Sequence, residues 1–215
     1  MYSTRPGLIL AFHGCDQSIV NSVLTGKASL QESNNKYDWL GHGIYFWDNS
    51  PSRALEYATF LKDHPERSKS RINHPAVIGA VIHLGYCLDL LDFENLQLLK
   101  LGFDLLSTAA DTNMPKNKFV GTSSDLLLRE LDCAVIETLH QFRKEKGYKE
   151  FDSVRGAFWE GKELYKNAGF REKDHLQICI RNPNCIKGYF LPRSYGCKIA
   201  GAYVSFYSHI KYNAD

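Results

Sequence analysis

The chain has 215 residues, 44% hydrophobic and 23% charged, an ordinary globular balance that excludes wholesale disorder. A domain of this length buries roughly 70% of its unfolded surface and needs neither metal nor disulfide to fold. Its 26 Lys and Arg against 24 Asp and Glu leave a net charge of +2, too slight to argue by itself for a nucleic-acid partner.

In chain order, Leu8 to His13 is a short apolar run between Pro6-Gly7 and Gly14, which predicts a buried strand. Ile19, Val20, Val23 and Leu24 then recur at helical spacing ahead of Gly26, predicting a short helix. Residues 28–42 are polar and turn-rich, and Gly43-Ile44-Tyr45-Phe46-Trp47 reads as a second strand. Ser50-Pro51 supplies an N-cap and a first-position proline for a helix with Ala54, Tyr57, Ala58 and Leu61 on one side. The charged stretch from Lys62 to Pro75 is a surface loop; its Arg67, Lys69 and Arg71 read as solvated charges or, alternatively, as phosphate contacts.

Val77 to Leu84 predicts a third strand. Phe93, Leu96, Leu99 and Phe103, then Leu128, Leu131, Val135, Leu139 and Phe142, predict two helices within residues 92–146. Leu176 to Ile180 is a strand stopped by Asn182-Pro183, and Ala202 to Tyr207 is expected to add a last one. With no internal repeat or linker, residues 1–215 are expected to form one α+β domain.

No apolar run approaches the roughly 18 residues of a membrane helix, and Met1 to Gly7 has no signal-peptide character, so a cytoplasmic protein with no membrane partner is expected. The six cysteines are scattered, which reads as reduced thiols. Gly-x-x-x-x-Gly-Lys-Ser/Thr, Gly-x-Gly-x-x-Gly, His-Glu-x-x-His and Cys-x-x-Cys patterns do not occur, so nucleotide hydrolysis, Rossmann redox chemistry and a zinc site lack support, and no metal is expected.

Taken together, Ala11-Phe12-His13-Gly14 at a strand end, Gly43-Ile44-Tyr45-Phe46 on the next strand, and Ala54 with Tyr57 on the following helix resemble the ADP-ribosyltransferases of the His-Tyr-Glu type, the diphtheria-toxin and poly(ADP-ribose) polymerase branch. The resemblance covers residues 8–60, extends to Leu84, and resumes near residues 176–181; residues 92–146 match no motif and are expected to be a helical insertion. It implies a split β-sandwich with flanking helices, and NAD⁺ as substrate rather than resident cofactor. Gly14 and Gly43, with Ile44 between the motifs, are expected to line the nicotinamide site, Gly14 letting its backbone approach the carboxamide. His13 is expected to donate to a ribose hydroxyl, and Tyr45 and Tyr57 to sandwich the ring. The bland alternative makes His13, Tyr45 and Tyr57 ordinary interior groups; it is the combination of motifs that argues against it.

The family's third element is a glutamate at the start of a later strand, and the matching position here is Gln177. A neutral amide hydrogen-bonds a ribose but supplies neither charge nor base. Glu160, in the loop before that strand, is expected to act as a supporting acid, although an exposed loop glutamate is the commoner state. Arg155-Gly156 is read as a phosphate or acceptor contact on position alone. Cys15 after His13-Gly14 stands where relatives carry serine or threonine and is given no catalytic role.

The resulting expectation is single transfer of ADP-ribose to a macromolecular acceptor, protein or nucleic acid, in the manner of a bacterial toxin held by an antitoxin or of a phage-defence effector. Two alternatives stand beside it: a catalytically inactive NAD- or ADP-ribose-binding module, and an RNA 2′-phosphotransferase on the same fold.

Overall fold

The alternation of small and large apolar residues in Ile9–Asp16 makes β1, and Asp16 ends it by accepting a hydrogen bond from the Ser18 amide at 2.9 Å. That bond caps α1 (Gln17–Leu24), which stops at Thr25-Gly26. β2 (Ile44–Asp48) is followed by α2 (Pro51–Asp63), where Pro51 starts the helix although the Ser50 side chain makes no capping bond. β3 (Pro75–Ile82) and β4 (Cys87–Asp89) come next. The computed structural model describes residues 7–68, 70–110, 113–119 and 126–193, so the strand expected at Ala202 to Tyr207 lies outside the described residues, as do Lys69 and Cys197.

Residues 92–146 contain the two expected helices, α3 (Phe93–Ala110) and α4 (Glu130–Glu145), joined through a short two-stranded pair, β5 (Asn117–Lys118) and β6 (Leu128–Arg129). β7 (Ser153–Phe158), β8 (His175–Ile180) and β9 (Ile186–Phe190) complete the described chain. The protein is α+β: a seven-stranded mixed sheet in the order β4-β7-β8-β2-β1-β3-β9, with β4 and β7 parallel and the other pairs antiparallel.

The sheet buries both faces. Ala11, Cys15, Ile44, Phe46, Ile78 and Ile178 form one core beneath Val20 and Val23 of α1, and burying a side chain such as Phe46 contributes about 1.5–3 kcal/mol. On the opposite face, Phe12, Trp47 and Val77 meet Ala54 of α2, while Cys179, Val154 and Leu88 meet Leu40 and Ile136 and Leu139 of α4. Two separate covers therefore sit on that second face. Among the described residues, no helix is long and apolar enough to cross a membrane.

Candidate functional site

β1 and β2 share only the pairs Ala11 with Asp48 and Phe12 with Trp47, extended by a hydrogen bond from the Asn49 amide to the Leu10 carbonyl at 3.0 Å. Hydrogen-bonding direction alternates residue by residue along a strand. Since Leu10 points its carbonyl toward β2, so do Phe12 and Gly14, and β1 keeps an unbroken register with β3 on its other side from Ile9 to Asp16. Past Phe12, β2 has swung over to β8, pairing Ile44 with Ile180 and Trp47 with Gln177. The rung that Gly14 would make with Tyr45 is replaced: His13 Nδ1 lies 2.8 Å from the Tyr45 carbonyl. Gly14 is left directing one donor and one acceptor, its own N–H and C=O, into the split.

This geometry sets the chemistry of His13. A carbonyl only accepts, so Nδ1 carries the proton, and burial holds the imidazole pKa below its ordinary value, opposed by the bond to Tyr45. The ring is neutral and Nε2 is an acceptor. The expectation that His13 donates to a ribose hydroxyl is thereby corrected: in this tautomer its second nitrogen can only accept.

Gly14 is fixed from above as well. A Cβ there would lie 2.0 Å from the Ala54 carbonyl oxygen, so only glycine lets α2 descend onto β1. Gly43 serves the loop before β2. It exchanges two backbone bonds with Ser33, of 2.8 and 3.0 Å, at a φ of +153° that leaves no room for a Cβ beneath the Ile180 carbonyl. Ile44 is buried in the core under α1 and paired with Ile180 of β8, so it lends the split no side chain.

The Tyr45 hydroxyl donates to the Gly41 carbonyl at 2.7 Å and accepts from the Leu40 amide at 3.0 Å, pinning the loop before β2 down onto the sheet. Burial pushes its pKa well above the usual phenol value, so it stays protonated. Tyr57 faces the same side from α2. Its ring meets Trp47 at 5.1 Å and Phe60 at 6.5 Å, so the aromatic in direct contact with Tyr57 is Trp47, two residues beyond Tyr45 on the same face of β2.

Gln177 lies opposite Trp47 in the β2–β8 ladder, and its Oε1 accepts from Trp39 Nε1 at 2.7 Å. Trp39 lies over Gly156 and edge-on to Phe158, with the Arg129 guanidinium above both rings. Three buried nitrogens around Trp47 lack partners among the described residues: Trp47 Nε1, Arg53 Nε and His175 Nε2. The Arg53 guanidinium is 5.8 Å and the His175 ring 6.3 Å from the Trp47 ring. Burial lowers the His175 pKa, and its Nδ1 meets the Lys173 carbonyl at 2.5 Å, so Nε2 is an acceptor. Two donors and an acceptor are thus left without partners around Trp47 among the described residues. Spacing gave no signal for Trp39, Trp47 or Arg53; their roles come from contacts between distant segments.

Glu160 is brought to the rim, but its carboxylate is committed to Arg53 Nη2 at 2.7 Å, and Arg53 also pairs with Glu56. It serves as a charge partner for Arg53. Arg155 is corrected outright as a phosphate contact: only 3% exposed, it bonds Asp48 at 3.0 Å and Asp89 at 3.2 Å inside the sheet, locking β7 to β2 and β4. The Cys15 thiol is buried and pushed up to about 12 by burial first and the Asp16 charge second, which leaves it unreactive. Of two open clefts, of about 370 and 520 Å³, neither is lined by Gly14, Tyr57 or Gln177, and Ile44 lines the smaller. Among the described residues, no group of three or more His, Cys, Asp or Glu is placed to hold a metal. Comparison of the chain with family models, curated proteins and solved structures gave no match.

Proposed function

We propose that this chain is an NAD⁺-dependent mono-ADP-ribosyltransferase of the His-Tyr-Glu, split β-sandwich class, acting on a protein or nucleic-acid acceptor. The observation that carries the reading is the backbone of Gly14, whose N–H and C=O enter a split in the sheet beside a neutral histidine. A carboxamide offers the matching acceptor and donor, and few other groups on a flat aromatic ring do. The rings of Tyr45 and Tyr57, neither of them fully buried, supply stacking partners, each offset contact contributing about 0.5–1.5 kcal/mol beyond burial. His13 Nε2 accepts from a ribose hydroxyl, fixing the sugar relative to the ring.

Transfer breaks the bond between the ribose C1′ and nicotinamide, the electron pair leaving with nicotinamide, while an acceptor nucleophile bonds C1′ from the opposite face. The chain's task is to orient the ring, exclude water and stabilise positive charge on the ribose. Gln177 holds the sugar through an amide and provides no full charge, which favours one slow transfer over chain extension. The same neutrality, with Glu160 tied to Arg53, supports a second reading as an NAD- or ADP-ribose-binding module without turnover.

Incubation with NAD⁺ labelled on the adenylate, plus cell lysate, separates the two. The transferase reading expects nicotinamide release and label bound to macromolecules, surviving either protease or nuclease but not both. Absence of both signals, with NAD⁺ bound in a calorimeter, leaves the binding module.

A further inference from the structure

Residues 159–174, between β7 and β8, form an ordered hairpin. The Leu164 amide bonds the Phe170 carbonyl at 3.1 Å, Glu172 bonds Lys162 at 3.0 Å and Lys173 bonds Glu160 at 3.0 Å. Yet Trp159, Tyr165 and Phe170 stand 59%, 63% and 64% exposed on it. A hydrogen-bonded backbone beneath exposed large rings marks a binding surface.

The charges of this hairpin divide by role. Its carboxylates each accept a hydrogen bond, Glu160 from Arg53 of α2, Glu163 from the Asn167 amide, Glu172 from the Lys162 amide, and Asp174 from the amides of Glu160 and Arg171, and Glu163 and Glu172 remain exposed. Lys162 and Lys166 are exposed, and their ammonium groups make no ion pair among the described residues. What faces outward is therefore aromatic, with Lys162 and Lys166 beside the exposed Glu163 and Glu172.

That surface continues. Lys173, paired with Glu56 at 2.8 Å, sets its ammonium 6.0 Å from the Phe60 ring, against which His64 stacks at 4.3 Å and Arg67 at 5.5 Å. Beyond Phe60 opens the cleft of about 520 Å³, lined by Lys62, Arg71, Ser68 and Asn73. The carboxylates nearby include Asp63, Asp16, which accepts from the Asn73 amide at 2.8 Å, and Glu66, which is exposed and 3.9 Å from Arg67, a pairing that contributes little. Tyr57, one turn before Phe60 and in contact with Trp47, puts the split alongside this strip.

We propose that the strip from the hairpin to the Lys62 and Arg71 cleft binds single-stranded nucleic acid, with bases stacked on Trp159, Tyr165 and Phe170 and phosphates on the lysines and Arg71. Exposed ring faces match unstacked bases, which a duplex does not present, and the separate cationic cleft matches a polyanion long enough to reach it. The inference deepens the transferase reading by naming its acceptor class and rests on that reading for the reaction, though not for the binding.

The test is fluorescence anisotropy of the full chain with labelled 12-nucleotide single strands of RNA and DNA, the corresponding duplexes, and polyglutamate as competitor. Expected are preference for a single strand and a log–log salt slope of about −1.4 or steeper, corresponding to about 0.7 per phosphate contact. Trp159→Ala weakens binding about tenfold at every salt concentration without changing the slope. Lys62→Gln with Arg71→Gln flattens the slope by about 1.4. No single-strand binding at low salt, equal binding of duplex, or displacement by polyglutamate as effective as by unlabelled oligonucleotide overturns the proposal. Oligonucleotide binding without nicotinamide release keeps the strip and removes the transferase; release without oligonucleotide binding does the reverse.

Discussion

Gln177→Glu should make the protein a faster enzyme. Gln177 and glutamate are nearly isosteric, and the one side-chain bond recorded for Gln177, from Trp39 Nε1 to Oε1 at 2.7 Å, is kept by a carboxylate oxygen. The substitution thus adds a charge with little change in shape. A full negative charge about 4 Å from positive charge developing on the ribose is favourable by about 4 kcal/mol at an effective dielectric constant near 20. Desolvating a half-buried carboxylate removes part of this, leaving about 2–4 kcal/mol, or roughly a 30- to 1000-fold faster release of nicotinamide. The assay is nicotinamide release at saturating NAD⁺ and pH 7.5, with thermal midpoints measured alongside. A Gln177→Glu protein that melts like wild type yet releases nicotinamide at the wild-type rate or slower would show that position 177 does not face the ribose.

Three further substitutions test the supporting frame. Asp16 accepts from the amides of His74, Ser18 and Asn73 and from the Ser18 hydroxyl, bonds that hold its carboxyl well below the usual range. Its stabilisation is present above the unfolded value near 3.9 and is lost as pH falls below it, so Asp16→Ala should lower unfolding stability by about 2–3 kcal/mol at pH 7, with a shrinking difference below pH 4 in urea titrations. His140 is buried with both ring nitrogens unpartnered among the described residues, and burial pushes its pKa down to about 3. The unfolded chain gains a proton there below about pH 6.5 while the folded chain does not, so about 2 kcal/mol is lost between pH 7.5 and 5, and His140→Phe should flatten the melting-temperature profile over that interval. Arg155→Ala strands two carboxylates inside the sheet and should cost about 3–5 kcal/mol in chemical denaturation, before any effect on NAD⁺ binding is considered.

The order of strands and helices was readable because each segment carries its own period and stops: Leu8 to His13 before Gly14, Ser50-Pro51 before α2, Asn182-Pro183 after β8. The pairing of distant segments was not. Gly14 looked like a place for close backbone approach, and it is, but on one side the neighbour is the Ala54 carbonyl, a contact set by how α2 crosses β1. Nothing near Trp39 in the sequence indicates that its indole reaches Gln177, 138 residues away. Arg155 misled for the opposite reason: beside a glycine it resembled a phosphate contact, whereas Asp48 and Asp89, which neutralise it, lie on strands that only the fold makes adjacent.

The direction of the His13 hydrogen bond follows the same rule. Its residue type pointed to the ribose, but the tautomer depends on the Tyr45 carbonyl across the split, and a backbone group in another strand leaves no mark in the sequence.

The central claim, that Gly14 presents one donor and one acceptor to a carboxamide, is tested most directly by titrating the protein calorimetrically with NAD⁺ and with its deamidated analogue, in which the carboxamide is a carboxylate. A carboxylate gives the Gly14 N–H an acceptor but sets a second oxygen against the Gly14 carbonyl, leaving that carbonyl unpaired. The account predicts NAD⁺ binding with the analogue weaker by about 30-fold or more. Equal affinity for the two dinucleotides would contradict it.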